Sequence, residues 1–196
     1  MRNPDLTKEK ILVKSGILFN TQGYKSTSLS EITDATGFTK GAIYRHFESK
    51  DKLEQESLYH LSSIMFEKVR TVIKEKKTAS EKLRAIFQFF NTYITNPPIK
   101  GGCPLLNVSI EVDDTDPVLR KGALRILNVL RDSLITVMEN GKKFKQLKPD
   151  IDVEYYATIF IASLEGAIMM SKLRGTDEDI SRVIKHLQGI VTELER

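Results

Sequence analysis

Residues 37–53 of this 196-residue chain read GFTKGAIYRHFESKDKL, gathering Tyr44, Arg45, His46, Lys40, Lys50 and Lys52 around one turn. Side chains of these types can move protons, hold phosphate or meet nucleic acid. Covalent or acid–base catalysis needs a nucleophile, a base and a group that orients the base within hydrogen-bonding reach. None stands here at a useful spacing, so no catalytic residue is assigned and the chain is expected not to be an enzyme. Nucleic acid asks for hydroxyl and cationic donors to phosphate, and for small residues that let a backbone approach base edges. Thr39 and Lys40 stand at the amino-terminal end of a short helix, where N–H groups favour phosphate. Gly41 and Ala42 have no bulk, Tyr44 offers a hydroxyl, and Arg45 and His46 add donors. Ile43 and Phe47 are four residues apart on the opposite side and are expected in a small core. Lys50 and Lys52 begin the next helix, placed for backbone contact. Ser26, Thr27 and Ser28 supply small hydroxyls just before the preceding helix.

Other candidates carry less. The single Cys103 excludes an intramolecular disulfide and fits a reducing compartment. It is either a packed small side chain or a thiol whose reactivity a helix amino terminus would raise. Glu111, Asp113, Asp114 and Asp116 form an acidic run with the right atoms for a hard cation. No glycine-bearing loop of calcium type accompanies it, and Asp116 is explained as a helix cap, so no metal and no cofactor are expected. His60 and His186 have no neighbouring ligand partner.

The elements that must position these residues are helical throughout. Apolar residues recur at three- and four-residue intervals, and no alternating strand pattern appears. Thr7 is the expected cap of a first helix that Gly23 ends. Ser28 with Glu31 forms a capping box for LSEITDAT, which stops at Gly37. Thr39 caps KGAIYRHF, and Ser49 starts a long helix to about residue 77. Ser80 opens a helix that Asn96-Pro97-Pro98 closes. CPLLNVSIEV is read as a short helix, Asp116-Pro117 opens a helix to about Gly141, Asp152 opens one closed by Gly175, and Asp177 caps the last. The expectation is an all-α chain of about nine helices, with a helix-turn-helix unit in residues 1–50 and a larger helical domain in residues 51–196. The second helix of such a unit lies in the major groove of double-stranded DNA.

Charge agrees. Residues 1–52 contain nine Lys/Arg and six Asp/Glu, so this quarter holds +3 of a net +4. A basic amino-terminal segment on a neutral body fits a polyanionic partner for that segment alone. The stretch YYATIFIASLEGAIMM is broken by Ser163 and Glu165 and falls short of a membrane span of about 20 residues. With no signal-like apolar run near Met1, a cytoplasmic protein is expected.

The segment STSLSEITDATGFTKGAIYRHFESKDKL resembles the DNA-binding signature of TetR-type (TetR/AcrR) bacterial transcriptional regulators. The matching elements are Thr27, Ile32, Gly37, Thr39-Lys40-Gly41, Tyr44, Phe47, Lys50 and Leu53, across residues 8–54 or so. Thr33 and Thr36 depart from the small alanines common there. The resemblance implies a homodimeric repressor on a palindromic operator, released when a small-molecule ligand enters the carboxy-terminal domain. Alternatives are a ligand-independent regulator or activator of the same fold, or an electrophile sensor acting through Cys103. GGCPLLNVSIEV is similar to a Gly-Cys-x-Leu-x-Asn segment in a subgroup of these regulators, some of which respond to oxidants or electrophiles. The layout implies a ligand cavity walled by Phe66, Phe87, Phe90, Tyr93, Cys103, Leu106, Ile110, Phe160 and Met170, with Asn107 orienting the ligand. It also implies a dimer face on the last two helices. Ser163, Gly166 and Ala167 would permit close approach, and Ile180, Val183, Ile184, Leu187, Ile190, Val191 and Leu194 would form the apolar stripe.

Overall fold

The computed structural model describes residues 4–91, 93–112, 114 and 116–196; Asp113, one of the acidic run, lies outside them. Among the described residues there are nine helices. They are α1 (Pro4–Gln22), α2 (Leu29–Thr36), α3 (Lys40–Tyr44), α4 (Lys50–Ile73) and α5 (Ala79–Phe89), then α6 (Pro104–Val112), α7 (Pro117–Lys143), α8 (Val153–Arg174) and α9 (Glu178–Leu194). The only β pairing among them is an isolated antiparallel bridge between Leu147 and Glu195. The all-α expectation stands.

Local chemistry accounts for most of the boundaries. The Ser28 hydroxyl accepts from the Glu31 N–H, and the Glu31 carboxylate accepts from the Ser28 N–H at 2.7 Å, as the capping box requires. Gly37 closes α2 in the left-handed region (φ 74°), which a residue with a Cβ adopts at a cost. Two expected caps are corrected. α1 begins at Pro4, so Thr7 lies inside it. α5 is capped by Thr78 in a box with Glu81, because Ser80 is already in the first turn and buried. α5 also ends at Phe89, short of the expected Asn96. Asp177 makes no capping bond to α9; its carboxylate accepts from the Ile94 N–H and the Thr95 hydroxyl.

The chain forms two compact units. The first comprises residues 1–65 and 99–126, the second residues 66–98 and 127–196. Within the first unit, α6 is hydrogen-bonded to the end of α1. Ile11, Phe19, Ile32, Ile43, Phe47, Leu58, Leu61 and Val108 are buried in the first unit. In the second unit α9 packs on α8 and α5, burying Leu83, Phe87, Phe160, Ile180, Ile184, Leu187 and Val191. α8 is the one described helix whose length and composition would suffice to cross a membrane, and a third of its most apolar window is buried in the protein.

Candidate nucleic-acid interface

α2, the Gly37 turn and α3 put the sequence-selected residues on one stretch of chain. Ile32 and Ile43 face inward, as do Phe47 and Leu53. This leaves Ser26, Ser28, Ser30, Thr39, Lys40, Gly41, Tyr44, Arg45 and Lys52 exposed, with Ala42 and His46 half-buried. The α2–α3 surface includes an open groove of about 530 Å³ lined in part by Ser30, Thr33, Thr39 and Lys40. The Thr39 oxygen accepts from the Ala42 N–H at 3.3 Å, so it caps α3 while its own O–H proton stays available to a partner. α3 has only five residues and ends at Tyr44, with Arg45 as its carboxy-terminal cap. Arg45 and His46 therefore stand past the helix rather than along it.

Two residues chosen for phosphate are committed elsewhere. Thr27 is fully buried and its hydroxyl donates to the Gly23 carbonyl at 2.7 Å. Lys50 donates to the Tyr24 carbonyl at 2.9 Å and pairs with the buried Glu54 at 2.9 Å. Both residues brace the corner between α1 and α2. Glu54 itself is pushed above the ordinary carboxylate range by burial, with Lys50 pulling it back in part. Glu31, by contrast, is held below that range by the Ser28 N–H and hydroxyl. The Tyr24 phenol, buried and near Glu54 and Glu111, is pushed up.

Gly41 is informative. A Cβ built there would meet nothing within 4 Å, and its φ is not in the positive region. Neither the turn nor the packing of the chain explains a glycine in a helix, where alanine is favoured by roughly 1 kcal/mol.

Two lysines outside the selected set lie close by. Lys25 is exposed at the corner before α2, and Lys10 lies 5.2 Å from the Phe38 ring. Lys25 was visible in the charge count; nothing local marks Lys10. Glu111, weighed as a metal ligand, instead binds backbone N–H groups at Tyr24 and Lys25. Asp116 does cap α7, accepting from Val118 and Leu119. No cluster of metal-ligating side chains occurs among the described residues.

The expected cavity wall is distributed over both units. Cys103, Leu106, Asn107 and Ile110 belong to the first, and Phe66, Phe87, Phe90, Tyr93, Phe160 and Met170 to the second. Phe87 and Phe160 are buried edge-to-face at 5.0 Å, and Phe90 stacks on Tyr93 at 5.4 Å. Leu106 and Phe66 are half-buried and Cys103 is buried. Ile110 and Met170 are corrected: both are exposed. Asn107 is corrected too, since its amide donates to the Asn20 carbonyl, the Asn20 side chain and Gly101.

The residues expected at a dimer face divide between core and surface. Ile180, Ile184, Leu187, Val191, Leu194 and Ala167 are buried within one protomer, so the α9 stripe is core. Ser163, Gly166, Val183 and Ile190 remain partly exposed. Of the last two helices, it is α8 that carries large exposed apolar side chains, Tyr155, Met169, Met170 and Leu173; others stand elsewhere, among them Val118, Leu124 and Val129 of α7.

The chain matches two family profiles. Residues 11–56 fit "Bacterial regulatory proteins, tetR family", and residues 79–187 fit "Tetracyclin repressor-like, C-terminal domain". It is 25% identical over 182 residues to the HTH-type transcriptional repressor DhaR of Mycobacterium sp. (strain GP1), covering 90% of this chain and 88% of that one. A TetR transcriptional regulator from Chloroflexus aurantiacus shares 33% identity with a TM-score of 0.94, covering 100% of this chain and 99% of that one. The regulator CifR, solved with 26-bp double-strand operator DNA, has the same fold at 20% identity and TM-score 0.83, covering 92% and 94%.

Proposed function

The chain belongs to the TetR family of bacterial regulatory proteins, and on that premise we propose that it is a homodimeric repressor released from a palindromic operator by a small molecule. Residues 1–50 are the DNA reader, and residues 51–196 bind the ligand and the second protomer. Two-fold symmetry then requires two operator half-sites on one face of the duplex. The protein works in the cytoplasm, where that DNA is. Ligand release follows if the ligand prefers the conformation in which the two readers no longer match the half-site spacing.

Gly41 carries the reading: its open side is on the exposed face of α3, where a closely approaching partner is the remaining reason for a glycine. Gly41→Ala should stabilise the free protein by about 0.5–1 kcal/mol and weaken its binding to a labelled duplex from the DNA upstream of its gene. Fluorescence anisotropy and urea unfolding measure the two. A variant that is stabilised and binds as well as wild type would remove the close-approach argument.

A second reading has its own observation. Cys103 is buried at the start of α6, where its sulfur accepts from the Leu106 N–H at 3.5 Å. An electrophile that modified it would weaken DNA binding, and Cys103→Ser should abolish that response.

A further inference from the structure

The corner between α1 and α2 delivers the chain to the reading helices, and the first unit holds it from two sides. The Tyr24 carbonyl accepts from Lys50 of α4. The Tyr24 N–H donates to Glu111 Oε2 at 2.9 Å, and the next N–H, of Lys25, donates to Glu111 Oε1 at 2.7 Å. Both carboxylate oxygens are thus engaged, which fixes the carboxylate plane as well as its distance. Consecutive N–H groups beside a positive-φ residue make a backbone nest suited to an anion. Gly23 (φ 97°) completes it, since a Cβ there would stand 3.2 Å from Glu111 Oε2. One turn earlier on α6, Asn107 donates to the Asn20 carbonyl and side chain, and Asn20 donates to the Lys100 and Gly102 carbonyls. α6 therefore holds the end of α1 at one level and the corner at the next.

We propose that Glu111 is a positioning residue for DNA binding: from α6 it locks the α1–α2 corner so that α2 and α3 present their residues in one fixed orientation. This rests on the DNA-reading assignment above. The proposal has a sign that charge alone would reverse. Removing a carboxylate from a basic unit should strengthen its attraction to a polyanion. Removing a lock should weaken binding, because an unlocked corner must be ordered again at each encounter.

Glutamine at this position keeps one acceptor and sets an NH₂ group against the other N–H donor. Glu111→Gln should bind the upstream duplex about tenfold more weakly, equivalent to roughly 1.4 kcal/mol. The slope of log affinity against log salt should stay that of wild type, since no phosphate contact is lost; Lys40→Ala should reduce it. In Glu111→Gln the Tyr24 and Lys25 amides should exchange with solvent at least about tenfold faster. A merely structural residue would lower the unfolding midpoint and leave the affinity of the folded fraction alone. Glu111→Asp, one methylene shorter, repeats the test if the glutamine variant folds poorly. Wild type that binds while Glu111→Gln binds equally or better would overturn the positioning role alone. Wild type that binds no duplex at any salt would overturn the DNA reading, and the positioning role with it.

Discussion

Lys50 and Glu54 show how far a residue's type falls short of its role. A lysine at the start of a helix beside a DNA reader invites assignment to phosphate, and here its ammonium is spent on the Tyr24 carbonyl and the Glu54 carboxylate. Lys50→Ala should destabilise the protein by about 1–3 kcal/mol, because it strips partners from a buried acid and a carbonyl; urea unfolding measures this. Any loss of DNA binding should then follow from the loss of fold. Glu54 adds a pH dependence. Burial raises its folded pKa, so its contribution is fully present below the ordinary carboxylate value of 4.5 and is lost as pH rises through the raised one. The stability of wild type relative to Glu54→Gln should therefore grow as pH falls from neutral toward 4.5. A difference that shrank instead would mean that the pull of Lys50 exceeds the effect of burial. Ser28, by contrast, was legible in full: serine, two residues and glutamate before an apolar helix specify a capping box by spacing alone. Ser28→Ala should cost about 1 kcal/mol.

At the level of elements, two helix glycines separate internal packing from contact with a partner. Gly141 lies inside α7, where an added Cβ would stand 2.6 Å from Leu147 Cδ1 and 2.7 Å from the Ala79 Cβ. Gly141→Ala should destabilise the protomer by about 1–3 kcal/mol through overpacking. Gly166 of α8 has nothing within 4 Å of such a Cβ. Gly166→Ala should stabilise the protomer by roughly 0.5–1 kcal/mol and weaken self-association if α8 is the dimer face. Unfolding curves at two protein concentrations distinguish the effects. The helices themselves were readable because their caps and periodicity are encoded within four residues. α5 differs from its expected span at both ends: Thr78 outcompetes Ser80 as the cap because Glu81 reaches back to it, and the chain leaves the helix at Phe90.

For the whole molecule, the exposed α8 residues Tyr155, Ala162, Met169 and Leu173, with the half-buried Gly166, recur at helical spacing on one face. Leu173 is 82% exposed in the single chain. Burying such a side chain against a second protomer would contribute about 1.5–3 kcal/mol, counted twice in the proposed two-fold dimer. Leu173→Glu should therefore shift the protein to monomer in sedimentation at micromolar concentration and weaken binding to a duplex with two half-sites. A variant that remains dimeric would place the dimer contact elsewhere, and a monomeric wild type would overturn the homodimer.

The all-α class and the helix-turn-helix segment matched by the family profile were legible in the chain itself. Both depend on short-range relations: helical periodicity, capping boxes, a left-handed Gly37, and small and cationic residues within one turn. Packing alone showed which apolar face of α9 is core, and that Thr27 and Lys50 hold the α1–α2 corner while Asn107 holds the end of α1. It also joined Glu111 to a corner 87 residues away. A stripe of isoleucine and leucine reads the same against its own protomer or a partner. A carboxylate or an amide likewise carries no mark of the distant backbone it will bind until packing brings the two together.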